Sequence, residues 1–223
     1  MTGRGVRVAV IDSGVHVGHP HIGPIAGGIS IGREGSFADQ LGHGTAVMAA
    51  IQEKAPDAEY FAVKVFHESL RTSTDSLLRA IEWSLENRMD VINLSLGTLK
   101  SDRAAEFEAL VGRGVECGAL LVSAREANGA LCYPGCLGGV IGVSLDAECA
   151  RDRYRVDGTR WYASGWYASG YPRPVPGVPP ERNLNGISFA VANMTGFVAR
   201  ACEGLADRSV ASVWGALSNS TSP

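Results

Sequence analysis

Val6-Arg7-Val8-Ala9-Val10-Ile11-Asp12-Ser13-Gly14 is the stretch that decides the fold. Apart from Arg7 it is apolar up to Ile11, and it ends in a carboxylate followed by a small-residue turn. An apolar run of this length without polar alternation predicts a strand buried on both faces of a parallel sheet. Residues 59–66, 90–96, 119–123 and 140–145 read as further strands, most of them equally continuous. Helical patterns lie between them. Over 74–88, Leu77, Leu78, Ile81 and Leu85 recur at helical spacing, with Ser73 or Thr74 as N-cap and Asp75 in the first turn. A second helix follows Ser101, with Phe107, Leu110 and Val111 on one face. Others are expected from Gly44 to about residue 53, from Ser188 to about residue 204, and over 208–217.

Strands alternating with helices predict right-handed crossovers. The expected fold is therefore α/β: a doubly wound, mostly parallel sheet flanked by helices in three layers, as one domain over 1–223. Ligand sites in such sheets lie beyond the carboxyl ends of the strands. Residues 151–184 break the alternation. They are rich in Arg, Tyr, Trp, Gly and Pro and carry a tandem Trp161-Tyr-Ala-Ser-Gly, Trp166-Tyr-Ala-Ser-Gly. A long surface loop around one or two short strands is expected there, and such loops are often functional.

Composition narrows the class. Hydrophobic residues make up 45% of the 223, which excludes a disordered chain. With 20 Lys+Arg against 23 Asp+Glu, the net charge of −3 offers no footprint for nucleic acid or an anionic membrane. No apolar run approaches the ~20 residues of a membrane helix, and no signal peptide or prodomain is recognisable. Five cysteines are an odd number, which argues against a paired secreted framework and for a reduced, cytoplasmic setting. Cys132 and Cys136 read as ordinary thiols. Glycine is in excess, 28 residues without a collagen-like period.

Three motifs carry chemistry. Asp12 ends the first strand and could cap a turn or stand at the active edge of the sheet. In Gly42-His43-Gly44-Thr45-Ala46, an imidazole flanked by glycines opens a small-residue helix, where the dipole disfavours its cation. In Asn185-Gly186-Ile187-Ser188-Phe189-Ala190, a hydroxyl opens another helix, whose N–H groups point at developing negative charge. Singly, each has a bland reading as a cap. Together they stand in the order Asp, His, Ser.

On these residues the chain resembles the subtilisin-like serine peptidase family over nearly its whole length. Ile11-Asp12-Ser13-Gly14 with His19-Pro20 is similar to the family's Asp motif. Asp39-Gln40-Leu41-Gly42-His43-Gly44-Thr45 is similar to its His motif, and Asn185-Gly186-Ile187-Ser188 to its Ser motif. Asp90-Val91-Ile92-Asn93-Leu94-Ser95-Leu96-Gly97 resembles its substrate-binding strand. The resemblance implies that Ser188 attacks a peptide carbonyl, His43 relays the proton and Asp12 orients the imidazole. It also implies that Ser95, Leu96 and Gly97 pair with an extended substrate. The partner expected is a peptide or protein substrate, with no nucleic acid and no membrane.

The match has departures. The family's oxyanion Asn follows a buried strand; here an ungapped match puts Glu126 or Ala127 in its place, and Asn128 reaches it with a shift of one or two residues. Ile187 replaces the usual Thr, Ala46 the second His of the His motif, and Ala192 the Pro after the Ser motif. No cofactor is called for. Many relatives bind calcium, but no Asp-rich loop of ligand spacing stands out, so calcium stays open and no metal site is assigned. His16, His19 and His21 read as loop residues. The expected function is an acyl-enzyme endopeptidase, with precursor maturation as one version of it. The alternatives are a ligase or macrocyclase using the same acyl-enzyme, under a lid formed by 151–184, and a peptide-binding pseudoprotease motivated by Glu126.

Overall fold

The computed structural model describes residues 1–157, 165–179 and 182–219. β1 (Arg7–Asp12), β2 (Gly27–Ser30), α1 (His43–Gln52), β3 (Glu59–Lys64), α2 (Thr74–Glu86) and β4 (Val91–Leu94) form the first half. α3 (Ala104–Cys117), β5 (Leu120–Ala124), the small hairpin β6 (Glu126–Ala127) and β7 (Ala130–Leu131), and β8 (Val140–Leu145) follow. β9 (Tyr154–Asp157), β10 (Gly165–Ala168), α4 (Ile187–Cys202) and α5 (Val210–Asn219) complete the order. The main sheet has eight strands in the order β2-β3-β1-β4-β5-β8-β10-β9. Neighbours are parallel, except that β9 runs antiparallel to β10 at one edge. The chain winds from β1 to one side through β2 and β3, then to the other through β4, β5 and β8. The switch point falls between β1 and β4, where a doubly wound sheet opens its crevice.

Strand parity builds two cores. Successive side chains point to opposite faces. Val8 and Val10 therefore pack with Val47, Val191 and Val198 of α1 and α4, while Ala9 and Ile11 pack with Ile81 and Phe107 of α2 and α3. The same parity sends Asp12 towards the α1 side. On β4 it groups Val91 with the α4 core and Ile92 and Leu94 with the other, so Asn93 shares the face of Val91. α4 is the central helix: Phe189 through Ala199 are all buried. α2 starts as the sequence suggests, and Ser73 is its cap, its hydroxyl accepting the Ser76 N–H at 3.1 Å.

Two features escaped the sequence pattern. β2 contains Gly27 and Gly28, which have no side chains to signal a strand; a Cβ on Gly28 would meet the Ala62 carbonyl at 2.4 Å. The β6–β7 hairpin turns on Asn128-Gly129, both with positive φ, 52° and 78°. Segment 151–184 supplies two short strands, β9 and β10, to the sheet edge. Trp161 and most of the first Trp-Tyr copy lie outside the described residues. All five cysteines are free thiols.

Candidate active site

Asp12 closes β1 with its side chain fully buried, and His43 opens α1. They meet because α1 begins against the end of β1: a Cβ on Gly44 would lie 2.3 Å from the Gly14 carbonyl oxygen, so only glycine permits the approach. His43 Nδ1 stands 2.7 Å from Asp12 Oδ1. A carboxylate can only accept, so Nδ1 carries the proton and Nε2 is left as the base. Asp12 Oδ1 also accepts the Ser13 N–H at 2.7 Å. The imidazole keeps 16% of its side-chain surface exposed. Burial pulls its pKa down, but the hydrogen bond and charge of Asp12, with the charge of Asp39, outweigh that and leave it raised.

Asp39 organises the turn before His43. Its Oδ1 accepts from Ser13 Oγ, Leu41 N and Gly42 N, each at 2.9 Å. Its Oδ2 accepts from Thr45 N at 2.9 Å and Thr45 Oγ1 at 2.6 Å. Burial raises the Asp39 pKa, yet these bonds hold it below the ordinary carboxylate value. Ser13 Oγ in turn accepts the Gly44 N–H at 2.8 Å. The Asp39 role was not assigned from sequence, although its place four residues before His43 is visible there.

Ser188 lies in the first turn of α4, after Gly186 at φ 144°. Its neighbour Phe189 places a ring 5.7 Å from the His43 ring, so the starts of α1 and α4 converge. Ser188 Oγ donates to the Ser95 carbonyl at 2.9 Å, and Ser95 Oγ donates to the Ser188 carbonyl at 3.1 Å. Behind this reciprocal pair stands a buried relay. Asn93 Nδ2 donates to Ser95 Oγ at 3.0 Å, and Thr195 Oγ1 donates to Asn93 Oδ1 at 2.9 Å. Asn93 and Thr195 are fully buried, and neither was singled out in sequence. The available signal was one polar residue inside the apolar run Val91-Ile92-Asn93-Leu94. Ser95, Leu96 and Gly97 lie just beyond β4, with Ser95 buried and Gly97 exposed.

The two oxyanion candidates lie on the β6–β7 hairpin. Asn128 is exposed at the hairpin tip, where its positive φ meets the demand of an Asn-Gly turn. Glu126 opens the same hairpin, and its Oε1 accepts the Ser144 hydroxyl at 3.2 Å. Neither is hydrogen-bonded to Asp12, His43 or Ser188. Among the described residues no group of three or more His, Cys, Asp or Glu side chains is placed to hold a metal ion. No helix among them is long and apolar enough to cross a membrane.

Comparison with known proteins gives consistent findings. The family model described as the subtilase family matches residues 3–222. "Minor extracellular protease Epr" of Bacillus subtilis (strain 168) is 39% identical over 162 residues, covering 66% of this chain and 24% of that protein. The chain thus spans about a quarter of that relative's length. A cold adapted subtilisin-like serine proteinase superposes with a TM-score of 0.73 at 20% identity, covering 96% of this chain and 81% of the other. The prenylagaramide maturation protease PagA superposes with a TM-score of 0.65 at 25% identity, covering 89% and 75%.

Proposed function

The chain belongs to the subtilase family, and on that premise we propose that it is a serine endopeptidase working through an acyl-enzyme on Ser188. The observation that carries this is the Asp12–His43 couple at 2.7 Å, facing the helix start that holds Ser188. His43 Nε2 takes the Ser188 proton as Oγ attacks the peptide carbonyl, then gives it to the leaving amine; water repeats the cycle on the ester. Asp12 holds the tautomer and stabilises the imidazolium.

In the resting protein the Ser188 hydroxyl is engaged by the Ser95 carbonyl. A substrate paired along Ser95, Leu96 and Gly97 brings N–H groups that compete for that carbonyl, freeing the hydroxyl to turn towards His43. The oxyanion falls at the amino end of α4, where the Ser188 N–H has no partner one turn earlier. Asn128, exposed beside the cleft strands with its side-chain amide hydrogen-bonded to none of the described residues, is the side-chain donor this reading assigns to the same oxyanion. Removing such a donor lowers turnover by roughly 10²–10³.

The finer reading is maturation of a precursor peptide. Its support is the likeness to PagA, which is described as a maturation protease. The free thiols suit a reducing compartment. A fluorophosphonate probe tests the chemistry: it labels the protein at Ser188, and Ser188→Ala abolishes the label. Absence of labelling refutes the peptidase reading and leaves a peptide-binding protein. Mass spectrometry of a leader–core precursor incubated with the enzyme tests the substrate, an uncut precursor counting against maturation.

A further inference from the structure

Beside the triad lies a cavity of about 330 Å³. Its walls come from the loop after β1, the residues leading into α1 and its first turns, and Pro172, Arg173, Val175, Asn183 and Leu184. Gly42 in its wall directly precedes His43, and Leu184 lies shortly before Ser188. Ser95, Leu96 and Gly97 do not line it. A substrate held along those three residues and attacked at Ser188 runs on past His43, which must reach its leaving nitrogen. The cavity adjoins that leaving side. Ala46, where the family's motif carries a second imidazole, faces it from α1 and leaves the space open.

The walls are rich in nitrogen groups that can bind an anion. His16, His19, His21 and Arg173 bring three imidazoles and a guanidinium to one cavity. Arg173 Nη1 donates to the His21 carbonyl at 3.3 Å, which aims the guanidinium at the histidine loop. His19 and His21 stand edge to face at 5.2 Å. Asp39 is the one carboxylate among the described wall residues, and both its oxygens are already occupied by the five donors of the His43 turn. A neighbouring carboxylate, Glu53, is paired with Arg151. The His21 pKa is lowered, first by burial and then by the charge of Arg173 and by His19, against a raising contribution from Glu53, so this imidazole serves as a neutral hydrogen-bonding group beside the guanidinium. The rim is apolar: Val175 and Leu184 are 41% and 56% exposed. A guanidinium and imidazoles behind an apolar rim suit a carboxylate on a short aliphatic stem.

We propose that this cavity is a specificity pocket for a substrate carboxylate on the leaving side of the cut bond, from an Asp or Glu side chain or from the free C-terminus of a short peptide. The proposal rests on the peptidase reading for the path of the chain, but the pocket's chemistry can be tested without hydrolysis. Ser188→Ala protein is used to select from a randomised decapeptide library made in two forms, C-terminal acid and C-terminal amide. Charge-assisted hydrogen bonds of the usual strength give about 10-fold or greater enrichment. Enrichment of Asp and Glu at one position in both forms identifies a side chain; enrichment of the acid form over the amide form identifies the C-terminus. Adding Arg173→Gln should bring either preference close to one, while Arg173→Lys, which keeps the cation, retains part of it. A library with no acidic preference, or a preference that Arg173→Gln leaves intact, overturns the proposal. Fluorophosphonate labelling of the unaltered protein is scored separately, so loss of the peptidase reading is distinguishable from loss of the pocket.

Discussion

Replacing Asp39 by Asn puts the turn before His43 under a graded load. The amide keeps one acceptor oxygen. If that oxygen stays with Ser13, Leu41 and Gly42, the NH₂ group faces the Thr45 N–H formerly bound at 2.9 Å. The Thr45 hydroxyl can rotate to accept from the new amide, but the backbone N–H cannot. One backbone donor therefore loses its acceptor, and the other bonds lose their charge. A hydrogen bond to a charged group contributes about 1.5–3 kcal/mol, and with Asp39 half-buried the expected loss is about 2 kcal/mol. The same change removes a negative charge that helps raise the His43 pKa. Catalysis needs neutral His43, so the acid limb of kcat/KM should move to lower pH. Urea unfolding and a pH profile on an ester substrate measure the two effects on one sample. A loss under about 0.5 kcal/mol together with an unmoved acid limb would refute the reasoning.

Two further changes test neighbouring links. Asp12→Asn removes the hydrogen bond and charge that raise His43 against burial, so the His43 pKa, followed by NMR titration, should fall. Its stability linkage should change with it: a raised His43 pKa contributes stability that is full below the unfolded value near 6.5 and lost as pH rises through the folded value, and Asp12→Asn should flatten that slope. Asn93→Ala should lower kcat about tenfold with KM little changed, because the relay positions Ser188 through Ser95 without touching substrate. An equal rise in KM would instead indicate a collapsed cleft.

Much of this site could be read from sequence because its chemistry sits at element ends. Asp12, His43 and Ser188 each close a strand or open a helix, and strand and helix periodicity locate such ends. The β1 run also carried the parity that aims Asp12 at α1. What could not be read depends on contacts across the fold. Asn93 looks like an interruption of an apolar strand until Thr195, 102 residues later, brings it a partner. Asp39 looks like a loop carboxylate until Ser13 and Thr45 close on it. Asn128 carries a second signal beside that of a candidate catalytic amide: Asn-Gly is a strong two-residue turn signal, and it marks the β6–β7 hairpin. β2 was hidden by its glycines, which pair well but announce nothing.

The burial of α4 has a consequence for the lifetime of the protein. The proposed peptidase activity would expose the protein to its own cleavage, and segments are cut where the backbone opens to solvent. Ser188 is mounted on a helix packed by both neighbouring helices and the sheet, so that helix opens only with the whole domain. Its amides should exchange with deuterium at the global unfolding limit, whereas those of residues 172–179 should exchange through local opening. Self-digestion would then begin in the walls of the cleft and change substrate preference before it reached the nucleophile.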